Sequence, residues 1–328
     1  MSRSRGSVAQ PLALLLWLVL ASPAIARAEQ RYAVIISGAT GGQEYAQQYK
    51  QQVTDLSKTL IEVLKFDPAA VTVLTESDKA GEASTADNVR RVLGSLRETL
   101  TRDGVLFVML IGHGTYDGVD AKFNLVGPDL ESADWAALLK PLAGRVVVVN
   151  TTSSSFPFLE RLAGPRRIVI TATDSPAQRF DTVFADYFIK ALRDPAADID
   201  KNNRISIWEA FAAASTGVRR HYQQRGQLAT ERALIDDNGD GVGKESIDPG
   251  DDGSLASRTY LDESLPGAAP TDEALLKLLQ RRATLESEVE ELKIRRTFMT
   301  PPEYAAEFER IMVELAKVSR EIRDRTKS

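Results

Sequence analysis

Two stretches of the sequence decide the fold: residues 105–118, VLFVMLIGHGTYDG, and residues 145–155, RVVVVNTTSSS. Each contains an unbroken apolar run of strand length, which is typical of strands buried on both faces of a parallel sheet. Polar residues follow each run directly: His113 between two glycines, and five hydroxyl residues at 151–155. Sites form where the carboxyl ends of parallel strands meet. We therefore expect the histidine and the hydroxyls to lie at one sheet edge.

The same alternation of strand and helix extends over residues 31–192. Further strands are predicted at Tyr32–Ser37, Val71–Glu76 and Arg167–Thr173, with helical spacing between them. Thr85 precedes one helical stretch and has the side chain of an N-cap. Strands alternating with helices predict an α/β fold, a three-layer sandwich in which helices cover both faces of a mostly parallel sheet.

With these elements the chain resembles the caspase and legumain group of cysteine peptidases. The group's pattern is a strand followed by His-Gly and, one crossover later, a strand followed by (Ala/Ser)-Cys-x-Ser-Gly. Residues 111–114, Ile-Gly-His-Gly, match the first part, and the order of elements and the helix after Thr85 also agree. The resemblance implies a caspase-like sandwich for residues 29–269.

The resemblance also assigns roles to individual residues. His113 matches the catalytic histidine, and Gly114 matches the glycine whose amide helps to hold the oxyanion. Thr152 stands at the position of the catalytic cysteine, with Ser153 beside it. The chain has no cysteine. A Ser or Thr hydroxyl must lose its proton during attack, whereas a thiolate is already a good nucleophile.

The sequence therefore leaves open whether the protein is an enzyme. The leading hypothesis is a caspase- and legumain-like pseudo-peptidase that binds a protein or peptide partner, with loops stabilised by calcium. The alternative is an active endopeptidase in which Thr152 or Ser153 is the nucleophile and His113 the general base. A third hypothesis is a purely structural scaffold.

Residues 198–209, DIDKNNRISIWE, fit the twelve-residue calcium loop. Its sixth position is Asn203 in place of glycine, and asparagine tolerates the left-handed conformation that this position needs. Ser206 supplies an oxygen at the ninth position. The predicted Ca²⁺ ligands are the side chains of Asp198, Asp200, Asn202 and Glu209 and the backbone carbonyl of Arg204.

A second acidic loop, residues 236–248, begins DDNGDG. Asp236, Asn238 and Asp240 match the first, third and fifth positions of the calcium loop, and they are the second set of predicted Ca²⁺ ligands. The closing acid is missing at the twelfth position, where Asp248 or Glu245 would have to substitute. A glycine turn capped by aspartate is the alternative.

The tail, residues 270–328, predicts two amphipathic helices joined at Pro301-Pro302, an antiparallel hairpin similar to a coiled coil. Arg282 interrupts its apolar row. Two interpretations stay open: the hairpin packs on its own domain, or it mediates self-association or binds a partner.

The first 28 residues have the features of a signal peptide: a basic start, an apolar run and the small-x-small site Ala26-Arg27-Ala28. We expect cleavage after Ala28, export to the bacterial periplasm or the medium, and no membrane span in the mature chain. The mature chain has 38 basic and 46 acidic residues, a net charge of −8. This balance argues against a nucleic-acid partner, since phosphate binding needs a basic face.

Overall fold

The structure, a computed structural model, describes residues 30–247, 250–263, 273–296 and 299–326. The predicted signal peptide and the candidate ligand Asp248 lie outside these residues. Among the described residues, no helix is both long enough and apolar enough to cross a bilayer.

A six-stranded sheet forms the centre of the domain, and five of its strands are parallel. Its strands are β1 (Arg31–Ser37), β2 (Val71–Leu74), β3 (Val105–Ile111), β7 (Arg145–Asn150), β8 (Arg167–Thr171) and β9 (Leu234–Asp236). Their order across the sheet is β2, β1, β3, β7, β8 and β9, and β9 joins the edge antiparallel.

Helices cover both faces of this sheet. One layer contains α1 (Gln43–Lys58), α5 (Phe184–Ala191) and α6 (Ile207–Gln224), and the other contains α2 (Ala86–Thr99), α3 (Ser132–Leu139) and α4 (Phe156–Leu162). The side chains of the fully buried β3 pack alternately against the two helical layers, because successive side chains of a strand point to opposite faces of the sheet. Phe107 packs with the first layer and Val108 with the second. The three-layer α/β sandwich is thus confirmed.

The tail is a helical hairpin of α7 (Glu273–Arg295) and α8 (Pro301–Thr326). Its helices are antiparallel: Arg281 pairs with Glu314 at 2.6 Å, and Arg310 pairs with Glu288 at 3.5 Å. Apolar residues from both helices form a core of their own.

Two features were not predicted from the sequence. A small antiparallel sheet follows β3 and consists of β4 (Gly114–Tyr116), β5 (Ala121–Phe123) and β6 (Leu130–Glu131). The other feature is the edge strand β9. All four strands have only two or three residues, too few for a periodic pattern to indicate them.

Candidate functional site

His113 lies directly after β3 at the carboxyl edge of the sheet, as expected. Its Nδ1 atom lies 3.4 Å from Oδ1 of Asp181. Its Nε2 atom lies 3.1 Å from the hydroxyl of Tyr49 and 3.3 Å from the carbonyl oxygen of Thr40. The ring of Tyr45 packs edge-on against the imidazole, with 4.5 Å between the ring centroids. The histidine therefore sits in a cage of two tyrosines and one carboxylate.

Asp181 is the residue that sequence reasoning missed, because nothing in the sequence marked a carboxylate to orient the imidazole. The hydroxyl of Tyr45 donates to Asp181 Oδ2 at 2.5 Å, and this hydrogen bond raises the pKa of Tyr45. Burial raises the pKa of Tyr49, so its phenol stays protonated at neutral pH. The adjacent Thr182 fixes the loop by donating its hydroxyl to the carbonyl of Thr151.

The five hydroxyl residues that follow β7 are buried, and the hydroxyl of each one forms a hydrogen bond within the protein. None of the five residues is more than 6% exposed. Thr151 donates its hydroxyl to the carbonyl of Leu110 at 2.7 Å, and Thr152 donates to Asn150 Oδ1 at 2.8 Å. Ser153 donates to the carbonyl of Gly114 at 3.0 Å, and Ser154 donates to the carbonyl of Pro176 at 3.1 Å. The hydroxyls of Ser155 and Thr173 are hydrogen-bonded at 3.0 Å.

Gly114 packs directly against this hydroxyl run. A Cβ atom at position 114 would lie 2.3 Å from the carbonyl oxygen of Ser153 and 2.5 Å from Oγ1 of Thr152. The sheet thus brings the four predicted residues of this site to one edge. No hydrogen bond joins His113 to Thr152 or Ser153 among the described residues, however.

The space beside the histidine is small. The cavity lined by Tyr45, Tyr49, Gly112, Thr151 and Asp181 has a volume of about 20 Å³. A cavity of roughly 10–15 Å³ holds one water molecule. This cavity therefore has room for about one water molecule.

The first predicted calcium loop brings its acids together. Ligand oxygens of Asp198, Asp200 and Glu209 all lie within 4.8 Å of one another, and the three residues are buried. Backbone amides turn inward around them: Asn202 donates to both aspartates, and Asn203 donates to Asp198. Asn203 has a φ of 63°, the left-handed conformation expected at the sixth position.

These carboxylates are hard to keep charged without a cation. Burial, together with the neighbouring charge of Glu209, raises the pKa of Asp200 to about 7. Burial also raises the pKa of Glu209. Hard oxygen donors in a twelve-residue loop suit Ca²⁺, and a bound cation would remove the cost of holding them ionised. The donor set therefore fits the ion.

The side chains of two other predicted ligand residues of this loop already have partners within the protein. The side chain of Arg204 binds Asp262 through Nε at 2.8 Å and stacks on Tyr260, so only its carbonyl is left for a metal. Asn202 donates its amide nitrogen to Asp200 at 2.8 Å and accepts the amide of Arg204 at its Oδ1 atom. Metal binding at Asn202 Oδ1 would have to displace or share that bond.

The second loop has the same turn geometry, but its described carboxylates are not gathered into a cluster of three. Asp236 accepts the amides of Gly239 and Gly241, both at 2.7 Å. Asn238 accepts the amide of Asp240 at 2.8 Å. Within the described part of the chain, only the first loop groups three potential metal-ligating side chains.

Of the two substitute acids predicted for the second loop, Glu245 accepts from Arg232 at 3.1 Å. Asp248 lies outside the described residues. Within the described part of the loop, Asp236 and Asp240 accept backbone amides of the turn.

Comparisons with known proteins add little to this picture. No family model and no curated protein matches the chain. A structural-genomics protein of Geobacter sulfurreducens is similar at 16% identity and a TM-score of 0.42, over 63% of this chain and 93% of that one. The structure of drICE, a caspase, is similar at 13% identity and a TM-score of 0.36, over 60% and 85% of the two chains.

Raptor of Chaetomium thermophilum is similar at 12% identity and a TM-score of 0.35, over 52% of this chain and 18% of Raptor. Structural similarity at such low identities and TM-scores says nothing about the activity of this protein.

Proposed function

We propose that this protein is an exported pseudo-peptidase of the caspase and legumain type, which binds a protein or peptide partner and is stabilised by calcium. One observation carries the proposal: the hydroxyls of Thr152 and Ser153 are buried and donate to Asn150 and Gly114, not to His113. The caspase-like part rests on the order of the strands and on His113 and Gly114 at the expected sheet edge.

The surroundings of the imidazole support the same proposal. Its Nδ1 atom faces Asp181, and its Nε2 atom lies within hydrogen-bond distance of the Tyr49 hydroxyl and the Thr40 carbonyl. A general base must be within hydrogen-bond reach of the proton that it removes. Both ring nitrogens thus have neighbours other than Thr152 and Ser153, whose hydroxyls donate to Asn150 and Gly114.

One observation favours the alternative, an active endopeptidase. The Asp181 carboxylate behind the imidazole is the group that orients and stabilises a catalytic histidine in a hydroxyl-based triad. Two of the three members of such a triad are thus present. Its use would require Thr152 to leave Asn150 and His113 to leave Tyr49.

The calcium part of the proposal rests on the cluster of Asp198, Asp200 and Glu209. Because a ligand that binds only the folded state adds to its stability, Ca²⁺ would stabilise the loop that precedes α6. We place the second loop outside this proposal as a turn that holds itself without metal.

The proposal is tested by measuring binding and hydrolysis on the same preparation. Mature protein is incubated with a broad peptide library, in calcium and in chelator, and bound and cleaved peptides are both identified. The proposal predicts retained peptides without cleavage. Cleavage that disappears in both His113→Ala and Thr152→Ala would establish the endopeptidase instead.

A further inference from the structure

A groove separates the helical hairpin from the sandwich. It has a volume of about 640 Å³ and lies between α5 and α6 on one side and α7 and α8 on the other. Small-molecule and peptide side-chain sites commonly have volumes of about 300–1,000 Å³. We call this space the hairpin groove. It is far larger than the cavity beside His113, so it is the better place for a ligand.

The walls of the hairpin groove are apolar on the hairpin side. Val289, Met312 and Leu315 face it from the hairpin, and Ala212 and Ala213 face it from α6. Met312 is 40% exposed, although a packed helical interface would cover it. Short alanines opposite longer side chains leave room between the two walls.

One hydrogen bond holds a hairpin residue against the sandwich at this groove. Arg282 donates from Nη1 to the carbonyl oxygen of Ile199 at 2.8 Å, and Ile199 itself lines the groove. This arginine is the residue that interrupts the apolar row of the tail. Its charge therefore has a structural use: it fixes one wall of the hairpin groove.

The rim of the hairpin groove is basic, whereas the chain as a whole is acidic. Lys190, Arg219 and Arg220 line it, and Lys190 and Arg220 have no ion-pair partner among the described residues. Asp194 is the acidic residue of the lining, and its side chain is engaged by the amide of Ala196 at 3.0 Å. Basic groups concentrated on a chain of net charge −5 attract an anionic partner to this place.

Polar groups inside the groove are suited to a peptide backbone. Gln224 and Ser246 line it, and their side chains have no hydrogen-bond partner among the described residues. A peptide offers amides and carbonyls to such groups, which a hydrocarbon chain does not. The apolar walls, the basic rim and the polar groups without partners together suit a ligand that has apolar, anionic and amide groups.

We propose that the hairpin groove binds an acidic peptide segment whose apolar side chains pack between α6 and the hairpin and whose carboxylates pair with Lys190 and Arg220. This inference rests on the proposed partner-binding function and locates it away from His113. The positive charge of the rim favours a negatively charged partner, and the alanine-lined wall of α6 leaves room for the apolar side chains of that partner.

The test starts with a phage-displayed library of random heptapeptides, selected on the immobilised mature protein. Enriched peptides are labelled with fluorescein and titrated by fluorescence polarisation. We expect enrichment of Asp and Glu beside aliphatic residues. The double variant Lys190→Glu/Arg220→Glu should weaken binding at least tenfold.

A matched control carries the same change of charge elsewhere. Arg97→Glu/Lys140→Glu places it on two exposed residues, one in α2 and one directly after α3, in the opposite helical layer, and should leave affinity within about twofold. A second groove variant, Ala213→Trp, fills the cavity without changing charge and should also weaken binding. Melting curves of all variants check that each one folds.

The outcomes separate the inference from the proposed function. Binding that survives both groove variants but is lost in Tyr45→Ala would place the partner at the His113 edge, which overturns the inference and keeps the function. Enrichment of basic or uncharged peptides overturns the inference as well. A library that yields no binder overturns both.

Discussion

Removing one carboxylate from the first acidic loop should abolish the response of the protein to calcium. The perturbation is Glu209→Gln. In the structure, Glu209 accepts the amide of Ile199 at 2.8 Å and the amide and hydroxyl of Ser206, both at 2.8 Å. Glutamine keeps one acceptor oxygen but loses the charge, so the variant is less stable even without metal. The informative quantity is therefore the difference between calcium and chelator, not the melting temperature itself.

The size of that difference follows from mass action. A ligand at a hundredfold excess over its dissociation constant adds about 2.7 kcal/mol to the free energy of unfolding. Since about 1 kcal/mol shifts the melting temperature of a domain of this size by roughly 2–4 °C, wild type should melt about 5–10 °C higher in calcium than in chelator. Glu209→Gln should retain less than a quarter of this shift.

The assay is thermal unfolding followed by circular dichroism in calcium and in chelator at constant ionic strength. Asp240→Asn is the matched control: it removes a carboxylate from the second acidic loop and should keep the full shift. Identical wild-type curves in the two conditions would refute the reasoning. A full shift retained in Glu209→Gln would refute the ligand assignment alone.

Three further predictions follow from named residues. Burial raises the pKa of Asp200 to about 7, so the folded state holds this proton between about pH 4 and 7 while the unfolded chain has lost it. The metal-free protein should lose stability as the pH rises through this interval, and the difference in melting temperature between calcium and chelator should grow. Melting curves recorded at steps of half a pH unit measure both, and a melting temperature that does not change with pH would contradict this prediction. Gly114→Ala should destabilise the protein by about 1–3 kcal/mol in urea unfolding, because its Cβ would clash with the carbonyl of Ser153; unchanged stability would show that the two strand ends do not pack closely. The mature protein should begin at Glu29, as N-terminal sequencing would show, whereas an intact Met1 on membrane-bound protein would contradict export with cleavage.

The sheet was predictable because its strands are marked by local pattern. Val105–Ile111 is apolar throughout, and the structure gives the strand those same bounds. Thr85 caps α2 as expected, accepting the amide of Asn88 at 3.3 Å. Strands with continuous burial and helices with side-chain caps carry their signals within a few residues.

The chemistry at the sheet edge was predictable only in part. Sheet topology placed His113 near the hydroxyl run, since both follow parallel strands. It could not show that Asp181, 68 positions further along the chain, would lie behind the imidazole, because a long loop has no periodicity to indicate where it folds. The direction of the Thr152 hydroxyl was equally hidden, since it depends on the Asn150 side chain two residues before it.

The acidic loops were more predictable than the contacts at the sheet edge and less predictable than the strands. The spacing of oxygen side chains predicts the turn because each ligand also accepts a nearby backbone amide. The twelfth position also distinguishes the two loops, since only the first has an acid there. The sequence did not show that Glu209, which accepts the amide of Asp200, also caps α6 through Ser206. Arg282 shows the same limit, because its contact with Ile199 joins segments 83 residues apart.

The central claim is that His113 has no competent nucleophile, and hydrolysis measured against His113→Ala tests it most directly. Wild type and His113→Ala are incubated with the same broad set of peptide substrates, with and without calcium, and new amino termini are quantified by mass spectrometry. The account predicts no cleavage by wild type above the level of His113→Ala, because Thr152 and Ser153 donate their protons to Asn150 and Gly114. Cleavage by wild type that is lost in either His113→Ala or Thr152→Ala would contradict it.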